Sequence, residues 1–523
     1  MTHMSFIKNN SEILIILLLY SILAIFSLQY YSFIAGDEIS YIDIAHAYAT
    51  GEWANAVNGI WSPLYSWLMA PFFLFNYTPF YGTYVSKILS LIIGFFTIIS
   101  IRKLANTFEI DKIVTTALTF SSIPVILYFS LIYNTPDLLV ACVLIYYLSV
   151  IFDPNYSNKL FNGVLCGLIG ALAYFSKSYA FPFFVVHFAL FNLIYYFKDI
   201  NPVKKRNILK NMVLGFTIFF IISGLWVGTI SDKYGKLTTS TAGDYNLALV
   251  GPESSCDPVF TLGLIKPPNK NAVSIWDDPS YIIINQWSPF DSWDHFKYEI
   301  SLLWKNILYT ILLIESFFMI GVIILIASLW FIFRSKSKKS EKDVIMYIWM
   351  TMIIYSGGFC FVRTEWRYLW LTFILLMITG FYLIDRLYKI KTITLNLRNI
   401  LLIVLICSFI IPSAYETILF SNNDNSAYNL SNQLKNDYGI HGNIASNEWK
   451  GNSLTISYYL NAKYYGQTKK TDNSANLQRE LTENRIDYYF VWNNESIPQI
   501  VDYREITNGR IEGLKIYSRI KKS

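Results

Sequence analysis

Charge is scarce in this chain: only 15% of its 523 residues are Asp, Glu, Lys or Arg. An ordinary soluble domain carries about 25%, so the shortage argues against a water-soluble globule of this length. Cysteine is scarcer, at five residues. Cys142, Cys166, Cys360 and Cys407 lie in apolar runs and Cys256 in a polar loop. No pair has metal-ligand spacing or the pattern of a disulfide framework. Internal repeats and low-complexity segments are absent. There is no P-loop and no soluble nucleotide-sugar domain, which argues against a cytosolic nucleotide donor. The segment 36–62 lacks Lys and Arg entirely.

What the chain has is apolar surface, with 54% hydrophobic and 17% aromatic residues, including 39 Tyr, 38 Phe and 14 Trp. That excludes disorder and leaves a polytopic α-helical membrane protein. A membrane helix needs about 20 mostly apolar residues, with about 17 as a practical minimum. Eleven runs qualify or nearly qualify: 13–35, 82–101, 113–132, 137–152, 161–176, 179–197, 211–230, 316–333, 344–361, 368–388 and 400–420. The first is longer than a signal-peptide core and has no small-residue cleavage site after it, so it reads as a retained span. Two further stretches, 63–75 and 302–314, are too short to cross. Allowing for them, the expectation is about eleven spans, with thirteen as the upper bound.

Basic residues orient the spans. With the N-terminus cytoplasmic, the inner loops hold Arg102, Lys103 and Lys112, then Lys198, Lys204, Lys205, Arg206 and Lys210. Further inner loops hold Arg334, Lys336, Lys338, Lys339 and Lys342, then Arg386, Lys389, Lys391 and Arg398. The net charge of +6 therefore reports topology and not a nucleic-acid partner. The expected location is the plasma (inner) membrane. Loop 36–81, loop 231–301 and the tail from 421 face outward. Residues 1–420 make the transmembrane domain. Residues 421–523 make a small extracytoplasmic α/β domain, with helices expected at 426–438 and 473–484 and strands at 442–446, 486–492 and 513–519.

Ionisable groups at a membrane edge need a partner or a purpose. Seven fall at the outer edge: Asp37, Glu38, Asp137, Lys177, Arg363, Glu365 and Arg367. Each has a structural alternative. Asp37 and Asp137 suit helix N-caps, Lys177 suits a snorkelling span end, and the turn 363–367 suits a local ion-pair cluster. Their common depth favours a site. His46 stands alone on an interfacial helix, His295 lies beside Asp291 and Asp294 in an outer loop, and Glu315 sits at a span edge; none forms a recognisable site.

The residues around the acidic pair carry a more specific pattern. Gly36-Asp37-Glu38-Ile39-Ser40-Tyr41-Ile42-Asp43-Ile44-Ala45 is followed by Gly51-Glu52-Trp53, Asn58-Gly59 and Pro63-Leu64-Tyr65-Ser66-Trp67. This stretch of about 30 residues closely resembles the first outer loop of the GT-C superfamily of membrane glycosyltransferases, in the branch of the protein O-mannosyltransferases and lipid A aminoarabinose transferases. Thr135-Pro136-Asp137-Leu138-Leu139, Leu172-Ala173-Tyr174-Phe175-Ser176-Lys177 and Glu365-Trp366-Arg367-Tyr368-Leu369 resemble later elements of that family, in order. One departure stands out. Trp61-Ser62-Pro63-Leu64 replaces a Lys-Pro-Pro-Leu sequence, removing a phosphate-contacting lysine and arguing against an aminoarabinose donor.

The resemblance implies an inverting transfer of a sugar from a polyprenyl-phosphate donor to a protein, lipid or glycan acceptor on the outer face. Asp37 is the expected base, with Glu38 or Asp137 orienting the acceptor. Lys177, Arg363 and Arg367 are the expected phosphate ligands, supported by Tyr41, Glu365 and Tyr368. The donor lipid is the only expected cofactor-like group. A divalent cation such as Mg or Mn at Asp37, Glu38 and Asp137 is left open. A transporter or flippase of a lipid-linked glycan is the alternative, although neither a repeat nor a midplane charge path supports it. A non-catalytic scaffold gives no reason for acids and bases to converge.

Overall fold

The computed structural model describes residues 3–29, 34, 36–254, 262–421, 426–448, 451–470, 473–493, 497 and 499–520. Cys256 and part of loop 231–301 lie outside them. The chain divides into two compact units: unit 1 holds Met1–Tyr31, Lys87–Asp232 and Ser288–Asn422, and unit 2 holds Ser32–Ser86, Lys233–Trp287 and Asn423–Ser523.

Unit 1 is helical. Among the described residues, eight helices are long and apolar enough to cross a membrane: Pro79–Thr107 (which begins in unit 2), Lys112–Ile132, Ala180–Lys198, Pro202–Tyr234, Trp293–Phe317, Lys339–Cys360, Trp366–Lys389 and Leu395–Phe420. Four shorter apolar helices accompany them, Ser11–Ser27, Asp137–Ile151, Phe161–Ser176 and Gly321–Arg334. The chain is thus an integral, multi-pass membrane protein.

One sequence expectation is corrected. The run 302–314 is not a short stretch, because it lies inside the 25-residue helix Trp293–Phe317. Its polar first turns hide the length from a hydropathy reading. Ser292 caps them, its side chain accepting from the His295 amide at 3.1 Å. The following run, 316–333, is interrupted, and its helix is only Gly321–Arg334. Glu315 caps the start of that helix by accepting from the Val322 amide at 3.3 Å.

The helix Trp366–Lys389 is the hub of unit 1, with 94% of its apolar window buried in protein. Its Trp370 stacks on Phe129 at 4.5 Å between ring centroids. Close approach is used elsewhere. A Cβ on Gly163 would lie 2.4 Å from the Asn211 carbonyl oxygen, and one on Gly167 would lie 2.3 Å from that of Gly215. The Gly-x-x-x-Gly spacing lets the helix Phe161–Ser176 meet Pro202–Tyr234 backbone to backbone.

Unit 2 is built on a five-stranded sheet: β1 (Asn443–Ser446), β2 (Lys463–Gln467), β3 (Tyr488–Trp492), β4 (Tyr503–Glu505) and β5 (Leu514–Arg519), in the order β2-β1-β3-β5-β4. β1 runs parallel to β2 and β3, and β5 antiparallel to β3 and β4. The helix Gly451–Tyr459 connects β1 to β2, and Ser474–Glu483 connects β2 to β3. Leu477 and Leu481 bury one face of the latter against Tyr489 and Val491. The sheet does not stand alone. The Ile265 amide donates to the Tyr465 carbonyl and the Tyr464 amide to the Val273 carbonyl, each at 2.8 Å, so segment 265–273 lines the β2 edge. Within the same unit, the Tyr458 hydroxyl donates to the Pro79 carbonyl at 2.7 Å. The tail therefore folds with loops 32–86 and 233–287.

Candidate active site

In unit 1, five of the membrane-edge charges form one cluster. Asp137 opens the helix Asp137–Ile151 and is buried. One of its oxygens accepts from Lys177 Nζ, and the other accepts from Thr135 Oγ1 at 2.7 Å and faces Arg367 at 4.0 Å. Lys177 is placed by the break after Phe161–Ser176, where its backbone turns extended. Its ammonium sits 3.8 Å from the centroid of the Tyr368 ring. Arg367 lies 5.3 Å from the rings of Tyr133 and Tyr368. Its Nε donates to Glu365 at 2.9 Å, while Arg363 contacts the other Glu365 oxygen at 3.3 Å. The short 3-10 turn Trp366–Leu369 leading into the hub helix holds Arg367 and Tyr368 in place.

The cluster thus sets Lys177, Arg363 and Arg367 beside Asp137 and Glu365. Arg363 is its open end, with its side chain 55% exposed against 14% for Arg367. Three cationic groups with aromatic walls, one guanidinium facing solvent, can bind an anion with several oxygens.

In unit 2, Asp37 and Glu38 occupy the first turn of the helix Gly36–Ala49. Adjacent positions on a helix do not face each other, and the two side chains part. Asp37 is partly exposed and accepts from the indole Nε1 of Trp276 at 2.9 Å. Glu38 is buried beside Tyr65 and Tyr459, raising the phenol pKa of both, although burial is the larger cause for each. Tyr41 lies one turn further along, edge-on to Trp61 and Tyr65 at 5.4 and 5.6 Å.

The segment 273–278 holds this helix, and the sequence reading had not singled it out. The Trp276 carbonyl accepts from Ser40 Oγ at 3.2 Å and from Trp61 Nε1 at 3.0 Å. Asp277 accepts from Ser40 Oγ and from the Val273 amide, both at 2.7 Å, and its carbonyl accepts from Asn58 Nδ2 at 2.6 Å. Asp43, one turn past Ser40, lies within hydrogen-bonding reach of Asp277. Burial, and then the like charge of Asp277, push the Asp43 carboxyl well above the carboxylate range. The acidic doublet Asp277-Asp278 after a Trp was the available signal.

The remaining candidates are structural. His46 stacks on Tyr77 at 3.7 Å, and His295 faces Asp291 at 3.8 Å near the surface. Among the described residues, no three His, Cys, Asp or Glu side chains converge to hold a metal ion. Asp137 is engaged by Lys177, Arg367 and Thr135.

No protein-family model matches the chain, and no curated protein matches it in sequence. Solved structures do match in fold. A crystal structure of ArnT from Cupriavidus metallidurans, bound to undecaprenyl phosphate, is similar over 98% of this chain and 99% of its own, at 12% identity and a TM-score of 0.57. The apo oligosaccharyltransferase of Archaeoglobus fulgidus is similar over 93% of this chain and 70% of its own, at 11% identity and a TM-score of 0.53. The architecture that the acidic pair after the first span suggested is the one observed: the chain has a GT-C-like fold, shared with these two structures.

Proposed function

We propose that this protein is an inverting glycosyltransferase that moves a sugar from a polyprenyl-phosphate donor to an acceptor on the outer face of the membrane. The observation that carries the reading is the cation cluster Lys177, Arg363 and Arg367, which is walled by aromatic rings and open at Arg363. An undecaprenyl phosphate bound to a protein of the same fold supports a lipid phosphate as the anion.

The chemistry follows from the groups. The acceptor hydroxyl or amine gives its proton to the Asp37 carboxylate and bonds to the anomeric carbon, on the face opposite the phosphate. The anomeric carbon–oxygen bond breaks, and its electron pair leaves on the polyprenyl phosphate. That anion is stable, so no strong acid is required. What it requires is positive charge where charge accumulates, the role given to Lys177, Arg363 and Arg367. Asp137 and Glu365 orient these cations, Tyr368 walls them, and Trp276 fixes the carboxylate of Asp37. Glu38 and Tyr41 support the acceptor side. Positive-inside asymmetry supports a cytoplasmic N-terminus and an outward-facing sheet.

The test is transfer from a panel of polyprenyl-phosphate hexoses and pentoses by purified protein, with Asp37→Asn and Arg367→Ala beside it. A misplaced or missing general base costs about 10²–10⁴-fold. Full activity in both variants would refute the assigned roles. Movement of the intact lipid-linked sugar across liposomes, without cleavage, would establish a transporter instead.

A further inference from the structure

A second anion-binding feature lies on the helix Pro202–Tyr234, within unit 1. Residues 202, 205, 206, 209, 210, 213 and 214 follow the i, i+3, i+4 pattern of a single helix face and line a groove of about 660 Å³, walled by Tyr196. The opposite face, with Ile208, Asn211, Gly215 and Phe219, is buried in the bundle. The groove is graded along its length. Lys205, Arg206 and Lys210 stand at the N-terminal end, and exposed Leu209, Val213 and Leu214 carry it toward the apolar part of the helix. From position 205 to 214 is about 13 Å of helix.

The cations at its mouth are free of acids. Among the described residues, Lys205, Arg206 and Lys210 form no ion pair, and no Asp or Glu lines the groove. By contrast, Lys198, at the end of the preceding helix, is neutralised by Asp343. Lys205 instead lies 5.1 Å from the Tyr196 ring centroid. We infer that this groove is a binding site for an anionic phospholipid of the inner leaflet, its phosphate on the three cations and an acyl chain along Leu209, Val213 and Leu214. Charge complementarity supplies the headgroup preference, and the apolar floor distinguishes a lipid from free phosphate.

The experiment is native mass spectrometry of the detergent-purified full chain titrated with phosphatidylglycerol, phosphatidylcholine, polyprenyl phosphate or inorganic phosphate. Phosphatidylglycerol is expected to bind most tightly. Each surface cation strengthens such binding by roughly fivefold, so K205A/R206A/K210A should weaken it by about a hundredfold. K205R/K210R, which keeps the charge, should retain it and so separates lost binding from misfolding. Val213→Ser with Leu214→Ser should weaken it while all three cations remain. K336A/K338A/K339A, in a basic loop outside the groove, should change it less than threefold. An equal loss in that control, equal affinity for phosphatidylcholine, or full displacement by inorganic phosphate would each overturn the assignment.

Discussion

The carboxylates of Asp43 and Asp277 are both buried, at 6% and 4% exposure, and lie within hydrogen-bonding reach of each other. Two such groups cannot both stay ionised cheaply, so the pair retains one proton. Asp277 accepts from Ser40 and Val273, which favours its charged form, while Asp43 Oδ2 has no donor among the described residues. The proton therefore resides on Asp43, where it turns that oxygen into a donor. The groups facing the pair are Lys463, which draws both carboxyls downward, Tyr77, whose hydroxyl lies 3.5 Å from Asp43, and Tyr458. Burial still dominates, and both carboxyls are raised.

The two asparagine variants should then differ. Asp43→Asn places an amide donor where the neutral acid was, and near neutral pH it should cost under about 1 kcal/mol. Asp277→Asn exchanges one acceptor for a donor and leaves Ser40 or the Val273 amide unsatisfied, costing about 1–3 kcal/mol. The sign of the pH dependence follows from the raised direction. The folded state holds a proton that the unfolded chain releases above its ordinary carboxyl pKa. Stability is thus fully present at low pH and falls as pH rises toward the folded value, by at most about 1.4 kcal/mol per unit. Thermal melts of the detergent-solubilised protein from pH 5 to 8 test this, and Asp43→Asn should flatten the slope. A few degrees should separate the variants at pH 7.5, since about 1 kcal/mol moves the midpoint of a 150–250-residue unit by roughly 2–4 °C. Equal destabilisation by both substitutions, with the slope unchanged in Asp43→Asn, would refute the shared proton.

Asp137→Asn removes a charged partner of half-buried Lys177 and Arg367, and should lower stability by about 1–3 kcal/mol in melts unless an added lipid phosphate restores part of it. Trp276→Phe keeps an aromatic ring against Trp61 and Tyr245 but deletes the indole donor to Asp37. A hydrogen bond to a charged group contributes about 1.5–3 kcal/mol of stability, so the melting temperature should fall by roughly 3–12 °C, and kcat should fall with it because Asp37 loses the donor that orients it. Gly167→Ala puts a methyl group against the Gly215 carbonyl and should destabilise unit 1 by about 1–3 kcal/mol, whereas alanine at Gly224, where nothing lies within 4 Å, should leave the melting temperature unchanged or slightly raised.

The parts of the fold and site that were legible in the sequence are those the bilayer makes expensive. Asp137, Lys177 and Arg367 stood out because charge at a membrane edge is rare, and the structure gathers them although 230 positions separate the first from the last. Apolar runs located the helices for the same reason. The misreading at 302–314 has the converse cause: half of the helix Trp293–Phe317 is amphipathic, and a length rule based on apolar residues does not count it. Trp276 and Asp277 escaped notice because a loop has no period to break. Their partners Asp37 and Ser40 lie more than 230 positions away, and only the folded unit joins them. The strand β2 was missed as well; Lys-Tyr-Tyr-Gly-Gln carries a Gly at its centre and no clean alternation.

The two clusters differ in what can titrate. Unit 1 sets Lys177, Arg363 and Arg367 beside Asp137 and Glu365, and its arginines stay protonated near neutral pH. In unit 2, Asp43 and Asp277 set two carboxylates against Lys463, and the excess is negative. A proton is small enough to enter a buried pair and brings the one positive charge that the pair lacks, so this cluster can complete itself. Under the proposed function the first arrangement holds the donor phosphate, and the second fixes the helix Gly36–Ala49 that carries Asp37. If this division is right, adding a polyprenyl phosphate should raise the melting temperature of the wild-type protein, while Arg367→Ala should lose most of that gain and Asp43→Asn none of it. A gain lost equally in both variants would mean that the two clusters do not act separately.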